Sequence, residues 1–294
     1  MYPAQFDYIR AESVGQALDL LEEHDDAELL AGGQSLVPAM KTGPARPDTV
    51  IDISRIDTMS GIDHDGDTTH IGANTTYAEV IKDETLRDSS EVFAETVSHI
   101  GDIQVRNKGT VGGNLAYSDP ASDLPAATLA ADITIVAKSR DGERCIDVDD
   151  FFKKKHQTDL DADELLTRVE IPRQGPDTAS GYIKKANPSS GYALIGVAAK
   201  LYTDGDTIES ARVAANGAMD HGVRLSAVEE TLAGASLDED ALADAAKRAG
   251  DRLDVSMMMD TEQASSEFRI QLLKTYTERV LQKVGERSGL QATI

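Results

Sequence analysis

Residues 101–125, GDIQVRNKGTVGGNLAYSDPASDLP, constrain the fold more than any other stretch, because they spend a glycine pair, two loop carboxylates and two prolines in one segment without apolar periodicity. A core helix or strand is not built this way. Thr110-Val111-Gly112-Gly113-Asn114 can turn without Cβ clashes at the two glycines, so successive backbone N–H groups can converge on an anion as a nest. A phosphate suits such a nest. Asp119, Pro120, Asp123 and Pro125 then hold an extended loop whose ionised carboxylates accept hydrogen bonds from ligand hydroxyls. Diphosphate plus polyol points to a dinucleotide. An ordinary Gly/Asp/Pro turn between a helix and a strand has the same composition, so the segment needs a second signal.

That signal lies near the N-terminus. Leu29-Leu30-Ala31-Gly32-Gly33-Gln34-Ser35-Leu36-Val37-Pro38 runs from a short apolar strand into another Gly-Gly turn, with Ser35 placed to donate its hydroxyl. Neither GxGxxG opening a long helix nor GxxxxGK[ST] is present, so the nicotinamide Rossmann and nucleoside-triphosphate readings lack their motifs. Together, AGGQSLVPAM and QVRNKGTVGGN…SDPASDLPAA closely resemble the paired flavin-binding signatures of the FAD-binding medium subunits of the xanthine oxidase and molybdenum carbon monoxide dehydrogenase family. The opening F-x-Y-x-x-x-x-S-x-x-x-A-L-x-L-L, from Phe6 to Leu21, resembles the carbon monoxide dehydrogenase branch.

The resemblance implies an α+β fold. A two-subdomain FAD-binding portion of the PCMH (vanillyl-alcohol-oxidase-like) type is expected over residues 1–174, with subdomains of about 1–55 and 56–174. A smaller domain of antiparallel strands and helices, like the carbon monoxide dehydrogenase flavoprotein C-terminal domain, is expected over 180–287. Position by position, Leu29 to Leu36 match the first phosphate-binding turn and Thr110 to Asn114 the second, while Asp123 matches the acidic contact to the FAD sugar chain. Ile100 stands where the family places a bulky residue beside the ring system. Leu166 and Lys184 match further contacts in the flavin ring region, and Tyr192 an aromatic near the ring. Lys184 would stabilise the anionic reduced flavin, with Lys185 as the alternative. Each has a plainer reading as turn aspartate, apolar core residue or surface lysine. Because neither Gly-Gly segment holds a histidine or cysteine, the FAD is expected to be noncovalent.

The implied partners are a molybdenum-cofactor large subunit and an iron–sulfur small subunit, in a heterotrimer or a dimer of heterotrimers. In that assembly the chain is an oxidoreductase component, incomplete alone, that takes electrons from the iron–sulfur subunit and passes them to an external acceptor. A hydroxylase of another substrate with the same architecture would share these motifs, as would a free-standing flavin-binding protein without turnover. The sequence offers no catalytic residue or metal site of its own. Cys145 is the single cysteine, the six histidines are scattered, and no GxSxG elbow occurs.

Composition narrows the partners further. The net charge of −23, from 52 acidic against 29 basic residues, repels rather than neutralises nucleic-acid phosphates. Apolar residues recur periodically among the charges, which argues for a folded, salt-adapted surface and a halophilic source rather than disorder. No basic-then-apolar leader or long apolar run is present, so a cytoplasmic chain without a membrane span is expected.

Local signals set the element order. Ser13 predicts the cap of a helix over 14–23, and Thr49–Ile53 reads as a buried strand. Asp65-Gly66, Asp141-Gly142 and Asp204-Gly205 predict hairpins. Glu91–Ile100 is an amphipathic helix leading into the central loop, and an Ala-rich helical run ends at Asp132. A strand stops at Pro172, a Pro/Gly-rich linker covers 173–180, and antiparallel strands are followed by helices near 223–233, 238–253 and 265–285.

Overall fold

The computed structural model describes residues 2–289; Met1, with which the expected first domain begins, lies outside them. The chain opens with β1 (Asp7–Arg10), α1 (Val14–Glu23), β2 (Ala27–Leu30), α2 (Leu36–Thr42) and β3 (Thr49–Asp52). β3 lies between β1 and β2 in a parallel sheet, and each return to the starting edge needs a crossover, which α1 and α2 help to supply. Ser13 caps α1 as expected, its hydroxyl oxygen accepting the Gln16 N–H at 3.1 Å.

A second portion contains β4 (Ile62–Asp65), β5 (Thr68–Gly72), α3 (Tyr77–Lys82), α4 (Glu84–Ser89) and α5 (Glu91–Ser98). The glycine-rich stretch follows as α6 (Ile103–Arg106), α7 (Val111–Tyr117) and α8 (Leu124–Ala131). Then come β6 (Thr134–Lys138), β7 (Glu143–Asp147), α9 (Val148–Phe151), the small hairpin β8 (Phe152–Lys154) and β9 (Gln157–Thr158), and finally β10 (Leu165–Pro172). The antiparallel order β4-β5-β10-β6-β7 puts the last strand at the centre. There Val169 is paired with Ile71 on one side and Ile135 on the other, and all three are buried.

The chain ends with β11 (Thr178–Ala186), β12 (Ala193–Asp204), β13 (Thr207–Asn216) and β14 (Val223–Arg224), an antiparallel sheet in that order. It is backed by α10 (Ser226–Leu232), α11 (Glu239–Ala246) and the long α12 (Ser266–Arg287). This is the mixed helix-and-sheet architecture expected from the sequence.

α8 joins the parts. All eight of its residues are buried, as befits a helix that is apolar all round, and its small side chains let it pack closely between α5 and the β12–β13 face. Its N-terminal end therefore delivers Asp123 to the C-terminal sheet. Among the described residues, no helix is long and apolar enough to cross a membrane.

Candidate functional site

The two glycine-rich segments meet. A Cβ on Gly32 would lie 2.0 Å from the Lys108 carbonyl oxygen and 3.0 Å from the Gly109 Cα, so only glycine lets the backbones touch. Gly33 takes φ +70° and turns the chain into α2. The amides of Gly33, Gln34, Ser35 and Leu36 donate no hydrogen bond among the described residues, since they precede or open the first turn of α2. Four unspent donors thus lie at the bend where the sequence leads one to expect an anion cradle.

The second segment behaves differently, and the nest reading of Thr110–Asn114 is corrected. Thr110 is an N-cap, and Val111 to Tyr117 are helical. The Val111 and Gly112 amides donate to the Thr75 and Ala73 carbonyls at 3.0 and 2.8 Å. Gly113 donates to the Thr110 hydroxyl oxygen at 3.2 Å and Asn114 to the Thr110 carbonyl at 3.1 Å. These four donors are spent inside the protein. A Cβ on Gly112 would stand 2.4 Å from that of Ala73, so this glycine serves close helix-to-strand packing rather than a left-handed turn.

Between the segments lies a cavity of about 620 Å³, within the usual range for ligand pockets. Leu29, Ala31, Gly32, Gly33, Gln34, Ser35 and Leu36 line it, with Thr110, Gly112, Gly113, Asn114 and Leu166 opposite or beside them. Leu30 and Val111 stand outside its walls. Sequence reasoning missed several wall residues, notably Asn74, Tyr77, Tyr117 and His156. No motif marks them. His156 shows its strain only in three dimensions, at φ +57° with its ring 4.4 Å from that of Tyr117.

Among the described residues, the walls carry no lysine or arginine. Glu28 lines the cavity, its carboxyl pushed above the ordinary value by burial and by the charge of Asp26. Glu164 also lines it but is held below the ordinary range by hydrogen bonds from Arg144 at 2.6 and 2.7 Å.

Asp123, Lys184, Ile100 and Tyr192 form a second cluster, separate from Leu166. The Lys184 ammonium donates to the Asp123 carboxylate at 2.8 Å and to the carbonyls of His99 and Gly191 at 2.9 and 3.1 Å, drawing the neighbours Ile100 and Tyr192 toward one point. Ile100 is buried and Tyr192 is 45 % exposed. The other Asp123 oxygen accepts the Tyr182 hydroxyl at 2.5 Å. Burial raises the Asp123 pKa against the opposing pull of Lys184. Lys185, which the strand alternation turns to the opposite face, is exposed and stays out of this cluster.

Comparison with known proteins shows the family. Residues 4–174 match the model of the FAD binding domain in molybdopterin dehydrogenase, and residues 182–284 that of the CO dehydrogenase flavoprotein C-terminal domain. The glyceraldehyde dehydrogenase medium chain of Sulfolobus acidocaldarius is 34 % identical over 97 % of this chain and 100 % of its own. The caffeine dehydrogenase subunit beta of a Pseudomonas species is 32 % identical over 98 % of this chain and 97 % of its own. A solved structure of carbon monoxide dehydrogenase from Hydrogenophaga pseudoflava, lacking the Mo-pyranopterin moiety, superposes with a TM-score of 0.92 at 31 % identity, covering 98 % of this chain and 99 % of that one.

Proposed function

Because the chain belongs to the FAD-binding family of the molybdopterin dehydrogenases, we propose that it is the electron-transferring medium subunit of a molybdenum hydroxylase. FAD is its cofactor, and the observation that carries the reading is the cradle of unspent amides at Gly33–Leu36 on a cavity walled by both glycine-rich segments. When bound, FAD supplies the ability to exchange electrons singly with a cluster and in pairs with an acceptor. Gly33 to Leu36 hold the diphosphate through backbone donors. Thr110 and Gly112 to Asn114 of the second segment close the opposite wall. The Asp123–Lys184 pair, with Ile100 and Tyr192, marks the flavin end of the site. In this reading residues 1–174 bind the cofactor, and 180–287 carry Lys184 and Tyr192 to it.

The relatives are components of enzymes named for glyceraldehyde, caffeine and carbon monoxide. One medium-chain architecture thus accompanies unlike substrates, which supports assigning substrate choice to a large molybdenum-bearing subunit. A small iron–sulfur subunit delivers the electrons, in a heterotrimer or its dimer, in the cytoplasm.

The test is anaerobic. The purified chain should release one FAD on acid denaturation without proteolysis, and small organic substrates should leave its flavin absorbance unchanged. Restoring the large and small subunits should make substrate bleach the flavin. If the lone chain bleaches, it is a self-sufficient dehydrogenase; if it folds and takes up no FAD, the cofactor assignment fails.

A further inference from the structure

We propose that Tyr77 and Asn74 form a donor–acceptor pair for the diphosphate–sugar junction of the cofactor, Tyr77 donating to a phosphate oxygen and Asn74 accepting from a sugar hydroxyl. The inference rests on the FAD reading above. Both residues line the cavity, and they are only 3 and 5 % exposed.

The Tyr77 hydroxyl accepts the Asn114 side-chain N–H at 2.8 Å, and Asn114 in turn accepts the Ser122 hydroxyl at 2.8 Å. This chain fixes the orientation of the phenol and leaves its own proton without an acceptor among the described residues. Burial pushes the phenol above its ordinary pKa, so it remains a donor. Asn74 is anchored through its side-chain N–H to the Ile53 carbonyl at 2.7 Å and through its backbone N–H to Met59 at 2.7 Å. Its Oδ1, however, is buried with no partner among the described residues. Burying an unpaired acceptor is unfavourable, and a ligand hydroxyl would supply the missing donor.

Position selects the part of the cofactor. A Cβ on Gly109 would lie 2.5 Å from the Tyr77 ring, and the Lys108–Gly109 backbone abuts Gly32, next to the four unspent amides. The phenol ring therefore packs on the backbone that borders the anion cradle, with its hydroxyl turned to Asn114. With no lysine or arginine among the described wall residues, the side-chain donors at hand are neutral, and the Tyr77 hydroxyl joins those of Ser35 and Gln34. Sugar hydroxyls flank the diphosphate on both sides, as ribityl and as ribose, and either supplies the donor that Asn74 lacks.

The experiment titrates the full-length apo-chain in molar KCl with FAD, riboflavin and ADP, reading flavin fluorescence or calorimetric heat. Tyr77→Phe keeps the ring against Gly109 and removes only the hydroxyl; it should raise the Kd for FAD about tenfold and leave riboflavin, which has no phosphate, unchanged. Asn74→Leu should weaken FAD, and with it riboflavin if the hydroxyl is ribityl or ADP if it is ribose. Wild-type FAD affinity in both variants overturns the pair. So does an equal loss toward FAD and riboflavin in Tyr77→Phe, which would assign Tyr77 to packing alone. If Asn74→Leu loses its cooperative melting transition, Tyr77→Phe decides. A wild-type chain that binds no FAD would instead sink the cofactor reading itself, and this pair with it.

Discussion

Asp119 and Asp123 sit four residues apart in one loop, yet the fold gives them different work. Asp119 Oδ1 accepts the Ala121 N–H at 2.9 Å and stays partly exposed, an ordinary turn arrangement. Asp123 is 4 % exposed and holds Lys184 and Tyr182. Removing one partner of a buried pair leaves the other charge uncompensated. Asp123→Ala should therefore cost about 3–5 kcal/mol in urea unfolding, whereas Asp119→Ala should stay within about 0.5 kcal/mol of wild type. An Asp123→Leu, Lys184→Met double variant should recover much of that loss, because a matched apolar pair has no charge to strand. Equal, small losses for the two alanine variants would return Asp123 to a plain turn role. The motif spacing singled out Asp123, but its partners come from β11 and could not be read from the loop. Asn74 and Tyr77 were illegible for the same reason, since their unspent groups become visible only once the cavity exists.

At the scale of elements, what chain-local chemistry dictates was readable. Ser13 capped the expected helix, and Asp65-Gly66 and Asp204-Gly205 turn hairpins between the strands they separate. The place of β10 was not, because its partners β5 and β6 lie far back along the chain and hydrophobic pattern carries no pairing information. α7 was misread because paired glycines disfavour a helix locally, and tight packing of Gly112 on Ala73 overrides that propensity. Beside the cavity, Arg144 on β7 clamps the run leading into β10. It reaches Glu164 at 2.6 Å and the Asp159 carboxylate and carbonyl at 3.2 and 2.6 Å. Arg144 depresses the Glu164 pKa, and Lys153 followed by Arg144 depresses that of Asp159. A depressed folded-state pKa adds stability that is complete above the ordinary carboxylate range, about 3.9–4.3, and is lost as pH falls through and below it. Because Arg144 is part-exposed, Arg144→Gln should cost only about 1 kcal/mol at pH 7, and the gap to wild type should close below about pH 4. A gap that stays constant down to pH 3 would show that the clamp works by packing instead.

For the whole molecule the dominant fact is the charge of −23, which acts on the fold and on an anionic cofactor alike. Paired carboxylates such as Glu164 and Asp123 already have cations beside them. The carboxylates in excess of the cations repel one another through solvent. Screening shortens the range of that repulsion from about 10 Å at 0.1 M salt to about 3 Å at 1 M, while part-buried pairs are screened much less. The balance therefore favours salt: repulsion is relieved before attraction is lost. The same field opposes entry of a diphosphate into a cavity without lysine or arginine on its walls, so screening should also favour binding. We expect both the melting temperature of the apo-chain and its FAD affinity to rise between 0.1 and 2 M KCl. Preferential exclusion of solute could also raise the melting temperature, so sucrose of equal osmolality is the control. If screening is the cause, sucrose will raise the melting temperature less than KCl and leave FAD affinity unchanged. A melting temperature that is flat or falling across the KCl series would remove the salt-adapted reading of this surface. A rising melting temperature with unchanged FAD affinity would confine the repulsion to the fold and leave the cradle at Gly33–Leu36 sufficient for the diphosphate in dilute buffer.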